Sequence, residues 1–119
     1  MLNNVYNRAM SELGTIFGRF NDLPSGNGAR IQAAKKGKMT IYHQSIAAGN
    51  QAEIAFDVQS FGERLGLTES DTRAFLSQLR ATTGRPVQIN AQFEWPRVGL
   101  ATDEHVTKVI AAIKQRLPG

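Results

Sequence analysis

Cysteine is absent from this sequence of 119 residues. The chain can therefore form no disulfide framework and no thiolate zinc site, and it has no cysteine nucleophile. Its two histidines, His43 and His105, lack the spacing of a metal-binding pair on one helix, and no serine lies in a nucleophile-elbow context. We therefore predict a non-enzymatic protein that uses neither a metal nor a cofactor.

Long apolar runs are also absent. No run approaches the roughly 20 residues that a membrane-spanning helix needs, and the first residues lack the basic and then apolar pattern of a secretory signal. These two absences predict a cytoplasmic location and no membrane partner.

Positive charge, in contrast, is in excess. The formal net charge is +4 and the isoelectric point is about 9.9, a balance that favours polyanionic partners such as nucleic acid. The hydrophobic fraction of 41% and the charged fraction of 20% are those of an ordinary globular protein. We predict one domain over residues 1–119.

The first third of the chain predicts a helix followed by a connector. Apolar residues recur every three or four positions between Leu2 and Phe20, which is the pattern of an amphipathic helix. Residues 21–29 contain Pro24 and two glycines, and this composition predicts a flexible connector.

Strands and helices are predicted in the rest of the chain. Three strands are expected, over residues 30–35, 39–46 and 52–58, with turns between them. Alternation in the third strand predicts one buried face, with Glu53 on a solvent-exposed face.

A fourth strand is expected over Val87–Trp95, where Pro96 ends it. A last helix begins after the capping residue Thr102, with acidic residues in its first turn. The expected fold is α+β: an antiparallel sheet of about four strands packed against helices in the order α-β-β-β-α-α-β-α.

The sequence FGERLGLTESDTRAFLSQL, residues 61–79, predicts two helices joined by a tight turn. Gly62 occupies the position where two such helices approach closely, Gly66 lies in the turn, and Thr68 can cap the second helix. In these respects the segment resembles the helix-turn-helix of bacterial transcription regulators, including winged-helix proteins. The resemblance implies a DNA-binding protein, a transcriptional regulator or an accessory factor, that reads DNA with its second helix.

Eight residues are the expected DNA contacts under this interpretation. Arginine can bind guanine or phosphate, and serine can bind either bases or phosphates. The second helix would offer Ser70, Arg73, Ser77 and Arg80, a wing would offer Arg85, and Lys35, Lys36 and Lys38 would bind phosphate. Glu69 and Asp71 oppose this interpretation, because carboxylates in the first turn of a reading helix repel phosphate.

A protein-binding adaptor is the alternative. The order of elements is similar to that of small secretion chaperones, which dimerise and hold segments of a partner. That interpretation implies a protein partner, bound by a face lined with glutamine and asparagine or by an apolar edge near Phe93 and Trp95. A homodimer is compatible with both interpretations.

Overall fold

A computed structural model describes residues 3–31, 37–88 and 95–118 of the chain. Within these ranges it has four helices and five strands, and the α+β prediction is confirmed with one strand more than expected. The elements are α1 (Asn4–Phe17), β1 (Phe20–Asp22), β2 (Gly28–Ile31), β3 (Met39–Tyr42), β4 (Ala52–Phe56), α2 (Val58–Leu65), α3 (Glu69–Thr83), β5 (Arg97–Leu100) and α4 (Asp103–Arg116).

The five strands form one sheet in the order β1-β2-β3-β4-β5, and every neighbouring pair is antiparallel. Met39 lies opposite Phe56 and Ile41 opposite Ile54, so these apolar side chains share one face. That face packs against the helices, because α1 and α3 contact strands β3 and β5 and both helices pack against α4. The core therefore lies between the sheet and one layer of helices.

The extra strand falls in the segment predicted as a flexible connector. Residues 21–29 contain the end of β1, a turn and the start of β2, and Asn21 lies opposite Arg30. The turn closes where the backbone N–H of Leu23 donates to the Gly28 carbonyl at 2.8 Å. Proline and glycine mark only the turn of this segment, whereas the residues on either side of it pair as a hairpin.

The second face of β4 is not the solvent-exposed face that the alternation predicted. Glu53 is 0% exposed and Ala55 is 3% exposed, although both lie opposite the core face. Two segments outside the sheet cover this face, because the backbone N–H groups of Ala47 and Gln88 both reach the Glu53 carboxylate. Alternation along one strand cannot show that distant loops cover its outer face.

The last strand begins later than predicted. Val87 and Trp95 are not in a strand, residues 89–94 of the predicted strand lie outside the described residues, and β5 follows Pro96 instead. Gly99 in β5 has a packing role, since a Cβ there would lie 2.9 Å from Cβ of Arg85. The segment that follows α3 therefore packs directly against β5.

The prediction for the last helix is confirmed. The Thr102 hydroxyl accepts a hydrogen bond from the backbone N–H of His105 at 3.2 Å and caps α4. A hydrogen bond from Lys108 lowers the pKa of the exposed Glu104 in the first turn. Among the described residues, no helix combines the length and the apolar character needed to cross a membrane.

Candidate functional site

Helices α2 and α3 meet at the close corner that residues 61–79 predicted. Gly66 ends α2 with a φ of 71°, a left-handed conformation that favours glycine. The Thr68 hydroxyl accepts a hydrogen bond from the backbone N–H of Asp71 at 3.1 Å and caps α3. A Cβ on Gly62 would overlap the hydroxyl oxygen of Thr72, so glycine lets the two helices approach closely.

Helix α3 has a buried side and an exposed side. Five residues face the core: Thr72, Phe75, Leu76, Leu79 and Thr83. All four of the predicted contact residues on this helix are exposed: Ser70, Arg73, Ser77 and Arg80. The corner therefore holds α3 by its apolar side and leaves its polar side accessible.

Three of these four residues line one cleft. Arg73, Ser77 and Arg80 lie at intervals of four and three residues, which places them on one stripe of the helix. Together with Leu76 and Pro96 they enclose a volume of about 340 Å³ between α3 and the start of β5. The lining has two positive side chains and a hydroxyl group, and it includes no carboxylate among the described residues.

The two arginines of the cleft are held differently. Nε of Arg80 donates a hydrogen bond to the backbone carbonyl of Arg97 at 3.2 Å, which fixes its guanidinium group beside β5. The Arg73 side chain makes no hydrogen bond or ion pair with another residue of the described ranges. One cation is therefore oriented in advance, and the other can adjust to a ligand.

Ser70 lies outside the cleft, at the acidic end of α3. Its neighbours Glu69 and Asp71 are exposed in the first turn, where carboxylates stabilise a helix N-terminus. At a rise of about 1.5 Å per residue, Asp71 and Arg80 are about 14 Å apart along the helix axis. The acidic residues are therefore confined to the first turn of α3, and the two arginines of the cleft follow them along the helix.

The remaining predicted contacts do not join the cleft. Arg85 supports a neighbouring loop, since its Nε donates to Oδ1 of Asn50 at 2.8 Å and its Nη2 donates to the Ala48 carbonyl at 3.1 Å. Lys38 lies before β3, with its Nζ 6.0 Å from the centre of the Trp95 ring. Lys35 and Lys36 lie outside the described residues.

A buried ion pair behind the cleft was missed by the sequence analysis. Nη1 of Arg97 lies 3.1 Å from Oε1 of Glu53, and both side chains are almost fully buried. Oε1 also accepts from the backbone N–H of Gln88 at 3.0 Å. Oε2 accepts from the backbone N–H of Ala47 at 2.7 Å and from Nδ2 of Asn50 at 2.9 Å.

This cluster, the Glu53 cluster, ties two loops to the sheet. Asn50 also donates to the Pro86 carbonyl at 2.7 Å, and the Arg97 guanidinium lies 4.2 Å from the centre of the Tyr42 ring. No local pattern reveals the cluster, because Glu53 and Arg97 are 44 residues apart. The only signal in the sequence is a carboxylate within the apolar strand AEIAF.

The histidines have structural roles. His43 lies in a bend just after β3, and its ring packs edge-on against the buried Tyr6 ring, with the ring centres 4.8 Å apart. Nδ1 of His105 accepts from the backbone N–H of Ala101 at 3.0 Å. No group of three or more histidine, aspartate or glutamate side chains among the described residues could hold a metal ion.

Comparison with known proteins found no match: no family model, no curated protein and no solved structure resembles this chain.

Proposed function

We propose that this protein binds duplex DNA through the cleft on α3 and acts as a cytoplasmic, non-enzymatic transcriptional regulator or accessory factor. The observation that carries the proposal is the cleft itself, which gathers Arg73, Ser77 and Arg80 on one exposed stripe. These residues supply guanidinium and hydroxyl donors, which are common partners of phosphate oxygens. The net charge of +4 adds a general attraction to nucleic acid.

The charge distribution along α3 indicates how the helix would approach DNA. The carboxylates of Glu69 and Asp71 would face phosphate repulsion if the first turn led into a groove. Arg73 follows these carboxylates in the second turn of the helix, and Arg80 lies near its C-terminal end. We therefore propose that the stripe from Arg73 to Arg80, and not the first turn of α3, makes the phosphate contacts.

The experiment is fluorescence anisotropy with a labelled duplex of mixed sequence, at low and near-physiological salt. Binding through phosphates weakens with salt, with a logarithmic slope of about −0.9 for each phosphate neutralised. Replacing Arg73 and Arg80 together with alanine should weaken binding roughly a hundredfold or more, because each charge-assisted hydrogen bond is worth about 1.5–3 kcal/mol. The salt slope should become shallower by about 2.

A matched control removes the same charge elsewhere. Arg19 and Lys108 are exposed, and neither lines the cleft. The R19A/K108A variant should bind nearly as tightly as the parent protein, since it loses only general attraction. Equal losses in the two double variants would show that net charge, rather than the α3 cleft, causes binding.

Absence of binding at low salt would refute the proposal and leave the adaptor interpretation. An adaptor should capture a protein partner and ignore DNA. Measurement of the mass in solution, with and without duplex, tests the homodimer that both interpretations allow.

A further inference from the structure

The face of the sheet that lies away from the helices carries a row of mostly polar residues. The strand register places five residues side by side across it: Asn21, Arg30, Thr40, Ala55 and Arg97. Thr40, Ala55 and Arg97 are buried, whereas Arg30 is exposed. This face, the outer sheet face, therefore presents a cation beside its buried centre.

An aromatic ring lies beside the row. Trp95, the single tryptophan of the chain, is partly exposed. The guanidinium carbon of Arg30 lies 5.8 Å and Nζ of Lys38 lies 6.0 Å from the centre of its ring. Both distances are within the range of cation–π attraction, about 6 Å. Two cations therefore keep the indole ring at the sheet surface.

Arg30 and Lys38 take no part in the ion pairs of the described residues, 3–31, 37–88 and 95–118. Nε of Arg30 donates to the hydroxyl oxygen of Thr40 at 3.0 Å, which fixes the guanidinium group on the sheet. The surface thus places two positive side chains beside an aromatic ring.

A small cleft borders Arg30 at the β1–β2 hairpin. It has a volume of about 210 Å³ and is lined by Asn21, Asp22, Leu23, Pro24 and Arg30. Amide and carboxylate groups can form hydrogen bonds with the edges of nucleobases, whereas the Asp22 carboxylate would repel a phosphate group. This cleft therefore suits a base better than it suits phosphate.

We propose that the accessible part of the outer sheet face, around Arg30, Lys38 and Trp95, binds single-stranded nucleic acid, with a base stacked on Trp95 and backbone phosphates at Arg30 and Lys38. Proteins bind single strands in this way, by combining a positively charged surface with aromatic rings on which bases stack. A blunt duplex buries the faces of its bases, so it cannot use Trp95. This site is separate from the duplex-binding cleft on α3 and goes beyond the proposed function.

Trp95 itself reports the binding. Titration with a short oligothymidylate at low salt should quench the tryptophan fluorescence to saturation, and a blunt duplex of equal length should leave it nearly unchanged. The R30Q/K38Q variant should bind the single strand about tenfold more weakly, because two phosphate contacts are lost. The R19Q/K108Q variant has the same net charge and should bind within about twofold of the parent.

Variants at Trp95 test the stacking with a labelled oligothymidylate and anisotropy. W95F keeps an aromatic ring and should bind within a few fold of the parent. W95A should bind roughly tenfold more weakly, and circular dichroism shows whether it is folded. If W95A is unfolded, the affinities of W95F and R30Q/K38Q for the oligothymidylate are compared with that of the parent instead.

Three results would overturn the proposal: no quenching at low salt, equal quenching by duplex and single strand, or equal affinity of R30Q/K38Q and R19Q/K108Q. The R73A/R80A variant separates the two sites. It should lose duplex binding and keep the quenching by single strands, so either proposal can fail without the other.

Discussion

A buried carboxylate is costly unless its charge is compensated, and Glu53 is compensated at both oxygens. Arg97 supplies the opposite charge, and three N–H groups supply the remaining hydrogen bonds. Arg97 also offers its backbone carbonyl to Arg80 in the α3 cleft. The Glu53 cluster therefore stabilises the outer sheet face. It also holds Arg97, whose backbone carbonyl orients Arg80.

Replacing Glu53 with glutamine should lower the free energy of unfolding by about 3 kcal/mol or more, because the Arg97 charge would stay buried without a partner. Urea unfolding measures the loss. Glu104→Gln is the matched control, because Glu104 pairs with Lys108 at 3.0 Å on the exposed surface of α4. That variant should be nearly as stable as the parent. Similar losses in both variants would contradict the structural role of the Glu53 cluster.

Ionisation of Tyr6 should lower the free energy of unfolding in alkaline solution. Burial, and to a smaller extent the nearby Asp22 charge, raises the pKa of Tyr6 above its ordinary value of about 10. The unfolded chain therefore loses this proton first. The stability that the neutral phenol contributes is complete below pH ~10 and is lost as the pH rises through the folded pKa.

Replacing Tyr6 with phenylalanine removes this ionisation. Between pH 9 and pH 11, the variant should lose less stability in urea unfolding than the parent protein loses, with pH 7 as the reference. A parallel decline in the two proteins would show that other groups cause the alkaline loss.

The helices and the core face of the sheet were predictable because their signals are local. Apolar periodicity and the caps at Thr68 and Thr102 indicate α3 and α4 directly. The hairpin strand β1 has only three residues, which is too short for alternation to be detected. Burial of Glu53 depends on loops that are distant in the sequence.

The candidate site was predictable in part for the same reason. Helical spacing places Arg73, Ser77 and Arg80 on one stripe, and the structure confirms that they lie together. Their shared cleft also needs Pro96, whose position depends on how β5 packs beside α3. Arg85 could not be placed from the sequence in this way. It was expected to contact DNA, but in the structure its guanidinium group binds the loop at Ala48 and Asn50.

At the corner between α2 and α3, glycine is required by packing. Gly62→Ala should destabilise the protein by about 1–3 kcal/mol, because the new methyl group would overlap the Thr72 hydroxyl and lie 3.2 Å from the Leu67 carbonyl. Gly14→Ala in α1 is the control. Its new Cβ would be 3.9 Å from the nearest neighbouring atom, on Phe20.

Thermal or urea unfolding should therefore show opposite signs for the two substitutions. Gly14→Ala should stabilise the protein by about 0.5–1 kcal/mol, because alanine favours a helix interior. A neutral or stabilising Gly62→Ala would show that the two helices can separate slightly, and that the close approach is not essential.

The whole molecule measures 36 × 29 × 28 Å, and its two proposed binding surfaces meet at one corner. Pro96 lines the α3 cleft, and the preceding residue, Trp95, lies on the outer sheet face. A duplex bound at α3 that continued into a single strand could therefore reach Trp95 without crossing the molecule. Because the two contacts would then belong to one ligand, the second contact would form at a high effective concentration.

A duplex with a single-stranded tail should consequently bind more tightly than either a blunt duplex or the free single strand, by about tenfold or more. Anisotropy with tails of both polarities measures this preference, and only the polarity that directs the tail toward Trp95 should show it. R73A/R80A should reduce the affinity of that ligand to the level of a free single strand, and R30Q/K38Q should reduce it to the level of a blunt duplex. If both surfaces bind separately but the tailed duplex gains nothing, the surfaces do not act together, since a linked ligand that can span two sites must bind more tightly than either part.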